Sequence, residues 1–431
     1  MMSTKMELSC DFETCATDKT NTKAKVWSSC AVDIGSLEPV HLGNSIDEFM
    51  SFISYKSLKL YFHNLAFDGN FILPWLVKHG FTQLTREEEE KYKYKKHSFS
   101  VVVDELNNFY SMRIYWGYQY VMQDRRKYGR KARKKKTWLI TDIIDSFKII
   151  PQSVKSIGKN FLGGVEDEKG IIDYVTIRPD GYQMTKEEQH YIVQDCTIVA
   201  KALRLMRERG FKKSTVSSIA FNEFLKITFN GNKQAYRRLL PCLDSETDDF
   251  IRKAYKGGWT YTNKKFKNLR DKQLYGACFD VNSLYPFQMY SNSFPCGTPV
   301  EFFGKYEYDK KYPFWIQEIH IDHFRLKENK FPCLQIKGNM RFSETEYLEE
   351  GSDVTIYVTS VDWELYNDCY YIEGITFRKG LKFHAVDNLF VPYIDKFYSE
   401  KQNATNKSQR AQAKLMLNSL YGKFASKTHR T

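Results

Sequence analysis

The chain has 431 residues, 42% hydrophobic and 16% aromatic, enough apolar matter for about three packed domains and too much for global disorder. A formal net charge of +13 suits a polyanionic partner, most simply nucleic acid, and suits equally a basic protein kept soluble by its charge. Nine scattered cysteines form no C-x-x-C pair, and no run approaches about 18 apolar residues. Structural zinc, a disulfide framework, a membrane span and a signal peptide are therefore not expected, and the chain reads as cytoplasmic, with free thiols.

In chain order, Glu7–Thr14 reads as a strand whose period of two puts Asp11 and Glu13 on one face. Leu58–His63 reads as a buried strand, after which Asn64 begins a turn into a helix over Asp68–Lys78. Glu87–Glu90 is a short acidic run. Arg125–Lys136 holds nine basic residues in twelve. It reads as a solvated hairpin or loop, with contact to DNA phosphates as the functional alternative. Glu187–Arg207 reads as a long helix with Tyr191 and Asp195 four apart on one face.

A second region runs from Ser214 to Asn292. In AYKGGWT, the pair Gly257-Gly258 serves either a tight turn or the close approach of a DNA backbone. Gly276–Val281 reads as a strand. In DVNSLYP, Asp280 stands at its end, before a turn fixed by Pro286, and the Val281 carbonyl offers a second oxygen. Ser293–Asn388 reads as mixed strands rich in Tyr and Phe. From Leu389 to Phe424 the pattern is helical twice, with the polar segment Ser399–Gln409 between. Lys414, Asn418 and Tyr421 share one helical face, Leu415, Leu417 and Leu420 form the buried stripe, and Gly422 ends the helix.

The carboxylates Asp11, Glu13, Asp68 and Asp195 come one or two per element, in a strand-then-helix order. Phosphodiester hydrolysis needs an activated water and a stabilised leaving oxyanion, which two divalent metals about 4 Å apart supply. Magnesium or manganese demands oxygen ligands, so clustered carboxylates are the expected holders. Tyr191, one turn before Asp195, is placed to hydrogen-bond the attacking water.

DFET (Asp11–Thr14), HNLAFD (His63–Asp68) and YIVQD (Tyr191–Asp195) resemble the three exonuclease motifs of family-B DNA polymerases. The finer resemblance is to the protein-primed branch of small tailed phages, adenoviruses and linear plasmids. It implies a serine–leucine motif at Ser146–Ile150, with Phe147 in place of leucine, and a catalytic Lys169 ahead of Ile172. Thr14, Asn64, Phe67, Ser146, Phe147 and Tyr174 would hold the single-stranded 3′ end. Taken alone, Phe67 is equally a stacking platform or a core residue. By the same resemblance Asp280 and Val281 are metal ligands of the polymerase site. Tyr285 lies under the incoming sugar, and Ser283 and Leu284 line the triphosphate pocket. Lys414, Asn418 and Tyr421 belong to the fingers, and Tyr255, Gly257 and Gly258 form a primer–template coupling element.

The resemblance implies a multidomain α/β and α+β chain. It comprises an RNase-H-like 3′–5′ exonuclease (1–213), part of a palm (214–292), an insertion that meets a priming terminal protein (293–388) and helical fingers (389–427), with 428–431 a truncated end. Its implied partners are primer–template and single-stranded DNA, deoxynucleoside triphosphates and the terminal protein. The family's Tyr-x-Asp-Thr-Asp-Ser motif is absent from these residues; YIDKF at Tyr393–Phe397 is the nearest string. Asp280 alone cannot hold two magnesium ions. The expectation is a chain that does not build DNA efficiently by itself. It is either completed by a second polymerase chain or the product of a truncated or interrupted gene. The rival readings are a stand-alone 3′–5′ exonuclease and a catalytically silent DNA-binding subunit.

Overall fold

Alternating apolar and polar residues near the amino terminus form strand β1 (Met6–Ala16), which pairs antiparallel with β2 (Ala24–Asp33) and parallel with β4 (Leu58–Phe62). The computed structural model describes residues 5–17, 24–92, 95–104, 107–123, 133–164, 176–263, 266, 275–336 and 346–426. Its elements form two compact units, Met1–Phe221 with Phe397–Lys423, and Asn222–Lys396 with Phe424–Thr431.

In the first unit the remaining strands are β3 (Pro39–Gly43), β5 (Thr82–Gln83), β6 (Ser98–Val103), β7 (Phe109–Met122) and β8 (Lys134–Asp145). Their sheet order is β3-β2-β1-β4-β8-β7-β6-β5. The central β1, β4 and β8 run parallel, which requires helices on the faces. The unit's helices are α1 (Ile46–Ile53), α2 (Leu65–Lys78), α3 (Arg86–Tyr92), α4 (Val154–Phe161) and α5 (Lys186–Glu208), of which α1, α2 and α5 pack on the sheet. Leu8, Phe12, Phe49, Leu60, Phe62, Ile72 and Ile143 fill the layer between, each at most 3% exposed. Burying each such side chain contributes about 1.5–3 kcal/mol. Phe12 meets Phe49 and Phe62 edge-on at 4.9 and 5.0 Å.

Helix α5 begins at a capping box, Thr185 with Glu188. Glu188 also receives the Arg178 guanidinium at 2.7 Å, and that guanidinium lies 3.8 Å over the Trp27 ring. At the other end, Arg207 pairs with Glu7 of β1 at 3.1 Å and donates to the Tyr61 hydroxyl of β4. Both ends of the helix are thus tied to the sheet.

Helix α6 (Val216–Phe229) contains the boundary between the units, followed by α7 (Lys233–Leu239), α8 (Ser245–Lys253) and α9 (Leu284–Ser291). The second unit holds an antiparallel sheet, β9 (Phe294–Phe302), β10 (Phe314–Leu326), β11 (Glu350–Thr359) and β12 (Tyr370–Val386), in the order β11-β10-β12-β9. Helix α10 (Ser360–Cys369) packs on it, and Ile319, Ile321, Phe324, Val354 and Tyr366 form its core. The chain then forms α11 (Val391–Gln402), α12 (Lys407–Ser419) and α13 (Tyr421–Phe424).

Four sequence expectations need correction. Gly276–Val281 is not a strand: it has no ladder partner among the described residues, and Tyr275 and Phe279 are 96% and 91% exposed. Pro286 fixes no turn; it sits in the first turn of α9, where its missing N–H is no loss. The segment between the two late helices shrinks to 403–406, because Ser399–Gln402 and Lys407–Gln409 are helical. Gly422 terminates nothing: α12 ends before it, at Ser419, and Gly422 lies within α13.

Candidate active site

The parallel strands β4 and β8 end side by side, at Phe62 and Asp145, with Cys10 of β1 opposite Phe62 and β1 running on to Ala16. Side chains following that row project beyond the sheet's carboxyl edge, where α/β folds place their ligands. Asp11 and Glu13 stand on β1 just past that row, and a register shift between Glu13 and Thr14 re-aims the strand. Asn64, after β4, adopts the left-handed conformation (φ 76°, ψ 59°) that asparagine tolerates better than most residues. That sharp turn starts α2 and brings Asp68 back under β1. Helix α5 delivers Tyr191 and Asp195, each 7% exposed.

Oxygens of Asp11, Glu13 and Asp195 all lie within 4.8 Å of one another. Asp68 is 2% exposed, and its Oδ1 has no hydrogen-bond partner. Burial pushes its carboxyl well above the usual range, and the charge of Asp11 and then of Glu13 pushes it the same way. Backbone N–H groups of Asp68 and Phe12 oppose the shift. Four carboxylates so placed cannot all ionise without a compensating cation. The donors are hard oxygens, which suits magnesium or manganese. Burial first, then the Cys30, Asp68 and Asp11 charges, raise the Cys10 thiol, so it stays protonated and adds no soft ligand. The acidic cluster fits a divalent cation.

Two groups that sequence reasoning missed hold the rim. The Asp145 carboxylate, 2% exposed, accepts the backbone N–H groups of Asn64 at 3.0 Å and Phe147 at 2.9 Å. It thereby fastens the start of α2 to the turn that follows β8. His63 bridges Ser146 Oγ at 3.0 Å and the Gln152 carbonyl at 2.7 Å. Burial lowers its pKa, which favours the neutral tautomer donating Nε2–H to Gln152, with Nδ1 and the Phe62 carbonyl sharing the Ser146 hydroxyl hydrogen. The available signal was position: His63 and Asp145 end or follow two buried strands.

The residues expected at the 3′ end divide by exposure. Asn64 is exposed, Thr14 is half-buried, and Phe67 and Phe147 are 48% and 36% exposed, which excludes a core role for Phe67. Ser146 is 1% exposed and donates to the Phe62 carbonyl at 3.0 Å, so its hydroxyl faces inward. Lys169, Ile172 and Tyr174 lie outside the described residues.

In the second unit, Tyr255, Asp280, Val281, Leu284 and Tyr285 are exposed, and Ser283 takes a left-handed conformation ahead of α9. AYKGGWT and DVNSLYP come together: a Cβ added to Gly258 would stand 3.6 Å from the Tyr285 hydroxyl. Gly257 is exposed beside it. On α12 and α13, in the element order of the other late helices, Lys414, Asn418 and Tyr421 are exposed while Leu415, Leu417 and Leu420 are buried. Within the first unit, α12 and α4 border a cavity of about 640 Å³ whose lining includes Gln152, Asn160, Lys407, Arg410 and Lys414. Among the described residues, no helix is long and apolar enough to cross a membrane.

Comparison with known proteins agrees with this geometry. Residues 50–431 match the family of DNA polymerases type B, organellar and viral. The DNA polymerase of Bacillus phage M2 is 39% identical over 427 residues, covering 99% of this chain and 68% of the relative. That of Bacillus phage phi29 is 37% identical over 420 residues, covering 97% and 67%. The solved phi29 DNA polymerase with primer-template DNA superposes with a TM-score of 0.83 at 35% identity, covering 98% of this chain and 68% of that one. With single-stranded DNA the TM-score is 0.84, at 36% identity and the same coverage. The chain therefore belongs to the type B DNA polymerases, as a phi29-like, protein-primed polymerase with a 3′–5′ exonuclease.

Proposed function

We propose that Asp11, Glu13, Asp68 and Asp195 hold two divalent cations, magnesium or manganese, for removal of the 3′-terminal nucleotide. Bound there, the cations supply a nucleophilic water and stabilise the departing oxyanion. Tyr191 orients that water by hydrogen bonding, one helical turn from Asp195. Phe67 and Phe147 stack on unpaired bases, Asn64 and Thr14 bind the strand beside them, and Ser146 supports the rim from below through His63. Lys169 and Tyr174 are assigned to transition-state stabilisation and strand holding by resemblance. The observation that carries this reading is the approach of the Asp11, Glu13 and Asp195 oxygens to within 4.8 Å.

For synthesis, Asp280 and the Val281 carbonyl bind metal. Tyr285 lies under the incoming sugar, and Ser283 and Leu284 flank the triphosphate. Lys414 neutralises phosphate while Asn418 and Tyr421 face the nascent base pair. Tyr255, Gly257 and Gly258 couple primer–template to that site, an assignment supported by the Gly258–Tyr285 approach. No Tyr-x-Asp-Thr-Asp-Ser string occurs in the 431 residues, so the second polymerase carboxylate comes from outside them, as from a second chain. A terminal protein meets the sheet of β9–β12. The described cysteines are all free, in keeping with work in a reducing cytoplasm.

The test is trimming of a 5′-labelled single strand in magnesium. The reading expects stepwise loss from the 3′ end, arrest by EDTA, and a slowed but metal-dependent reaction in Tyr191→Phe. Shortening from the 5′ end, or trimming that persists in EDTA, would contradict it.

A further inference from the structure

Strands β7 and β8 outrun the sheet they belong to. β7 pairs with β6 only as far as Tyr115, and β8 pairs with β4 only from Asp142 onward. Beyond a register shift between Tyr115 and Gly117, the two continue as a ribbon through Met122 and Lys134, with no third strand among the described residues. A two-stranded ribbon is marginal in water and survives on its cross-strand contacts. Here those contacts are aromatic and cationic. Tyr118 stands opposite Trp138, Tyr120 opposite Lys136 and Met122 opposite Lys134, so these six share one face. Tyr118 meets Tyr120 and Trp138 edge-on at 5.8 and 5.5 Å. The Lys136 ammonium lies 3.9 Å from the centre of the Tyr118 ring and 5.0 Å from that of Trp138.

This face is open to solvent. Tyr118 is 44% exposed, Tyr120 63% and Met122 49%, and Lys134 and Lys136 are exposed. Tyrosine rings arranged for burial would not alternate with lysines, and the core of a protein–protein interface is depleted of lysine. Interleaved rings and ammonium groups suit a polyanion that also offers flat apolar surfaces. Duplex DNA hides its base faces in the stack, so the complementary partner is single-stranded.

We propose that the ribbon 118–122/134–138 is an auxiliary binding site for single-stranded DNA, with Tyr118, Tyr120 and Trp138 stacking on bases and Lys134 and Lys136 pairing with phosphates. It rests on the reading of this unit as a single-strand nuclease but lies apart from the catalytic carboxylates. From Trp138 to Asp145 strand β8 spans about 23 Å at 3.3 Å per residue, a reach of several nucleotides. The ribbon therefore engages long strands and leaves short ones to the catalytic rim.

The experiment compares oligothymidylates of about 4 and about 20 nucleotides by fluorescence anisotropy, with calcium replacing magnesium to prevent cleavage. For the full 431-residue chain, Tyr118→Ala/Tyr120→Ala weakens binding of the long strand roughly five- to hundredfold and leaves the short one unchanged. Lys134→Ala/Lys136→Ala flattens the salt dependence for the long strand by about 0.7 per lost phosphate contact. Tyr118→Phe/Tyr120→Phe, which keeps the rings, binds the long strand like the parent. Equal long-strand affinity in every variant overturns the proposal, as does a phenylalanine variant as weak as the alanine one. Magnesium-dependent hydrolysis of a trinucleotide by each variant keeps the two readings separable: if the parent does not cleave it, the nuclease reading fails, whereas if only the long-strand difference vanishes, the ribbon fails.

Discussion

Replacing Asp68 by asparagine should remove nuclease activity and stabilise the metal-free protein. Asp68 is 2% exposed, with Oδ1 unpartnered and the Asp11 and Glu13 charges raising the energy of its ionised form. Asparagine has nearly the same shape. Its oxygen can take over the backbone N–H groups of Phe12 and residue 68, and its amide hydrogens then face the two acidic neighbours. One hydrogen bond to a charged group is worth about 1.5–3 kcal/mol. At 2–4 °C per kcal/mol for a unit of this size, a gain of about 2 kcal/mol raises Tm by roughly 4–8 °C. Loss of a metal-holding carboxylate should lower the cleavage rate at least about a hundredfold, the upper range for losing an outer-shell partner. The assays are differential scanning calorimetry in EDTA and in magnesium, and cleavage of a labelled single strand. Magnesium at one hundred times Kd should stabilise the parent by about 2.7 kcal/mol and raise its Tm accordingly, and the variant's by much less. A variant that melts lower in EDTA, or gains as much from magnesium as the parent, would refute the electrostatic argument.

The other expectations concern the rim and the clamp that holds α5. Phe67→Ala and Phe147→Ala should each raise KM for single-stranded DNA by roughly 5- to 150-fold, since a base–aromatic stack is worth about 1–3 kcal/mol; urea unfolding should move by no more than about 0.5 kcal/mol because both rings are exposed. Asp145→Ala should cost roughly 2–4 kcal/mol by orphaning the Asn64 and Phe147 N–H groups, and it should slow cleavage about 10- to 100-fold; Asp145→Asn, which keeps an acceptor, should recover most of both. Arg207→Ala should cost about 2 kcal/mol at pH 7, an estimate reduced because Glu7 is 30% exposed. Burial alone would raise the Glu7 pKa, but Arg207 and then Lys59 outweigh it and hold the carboxyl below its usual range. Such a lowered group stabilises the fold above the ordinary glutamate pKa and loses that contribution as pH falls through the lowered one. The stability gap between parent and Arg207→Ala should therefore narrow in acid, as urea titrations at several pH values would register.

Much of the first unit was legible because each element carries its own signal. Period two marked β1, a short apolar run marked β4, and the 3.6-residue repeat marked α5 to within a residue at each end. Asp11, Glu13, Asp68 and Asp195 stood out because carboxylates are out of place at buried strand edges and helix faces. Asp145 did not stand out, since its task is to join the N–H group of its own turn at Phe147 to that of the distant turn at Asn64. The Glu7–Arg207 pair spans 200 residues and leaves no local trace. Gly276–Val281 shows the opposite failure. Its alternation of Ala277, Phe279 and Val281 with smaller or polar neighbours matches a strand, but a strand exists only where a neighbour takes its hydrogen bonds. Ser146 stood out only through its motif; that its buried hydroxyl meets both the Phe62 carbonyl and His63 Nδ1 leaves no trace in the local sequence.

The central claim is that four acidic side chains act together on one scissile bond. Rapid-quench hydrolysis of a 5′-labelled single strand by the intact chain and by Asp11→Ala, Glu13→Ala, Asp68→Ala and Asp195→Ala tests it most directly. Cleavage that needs magnesium or manganese and falls in all four variants, with the double variants no worse than the singles, is the expected result. Full activity in any one of the four would contradict the account.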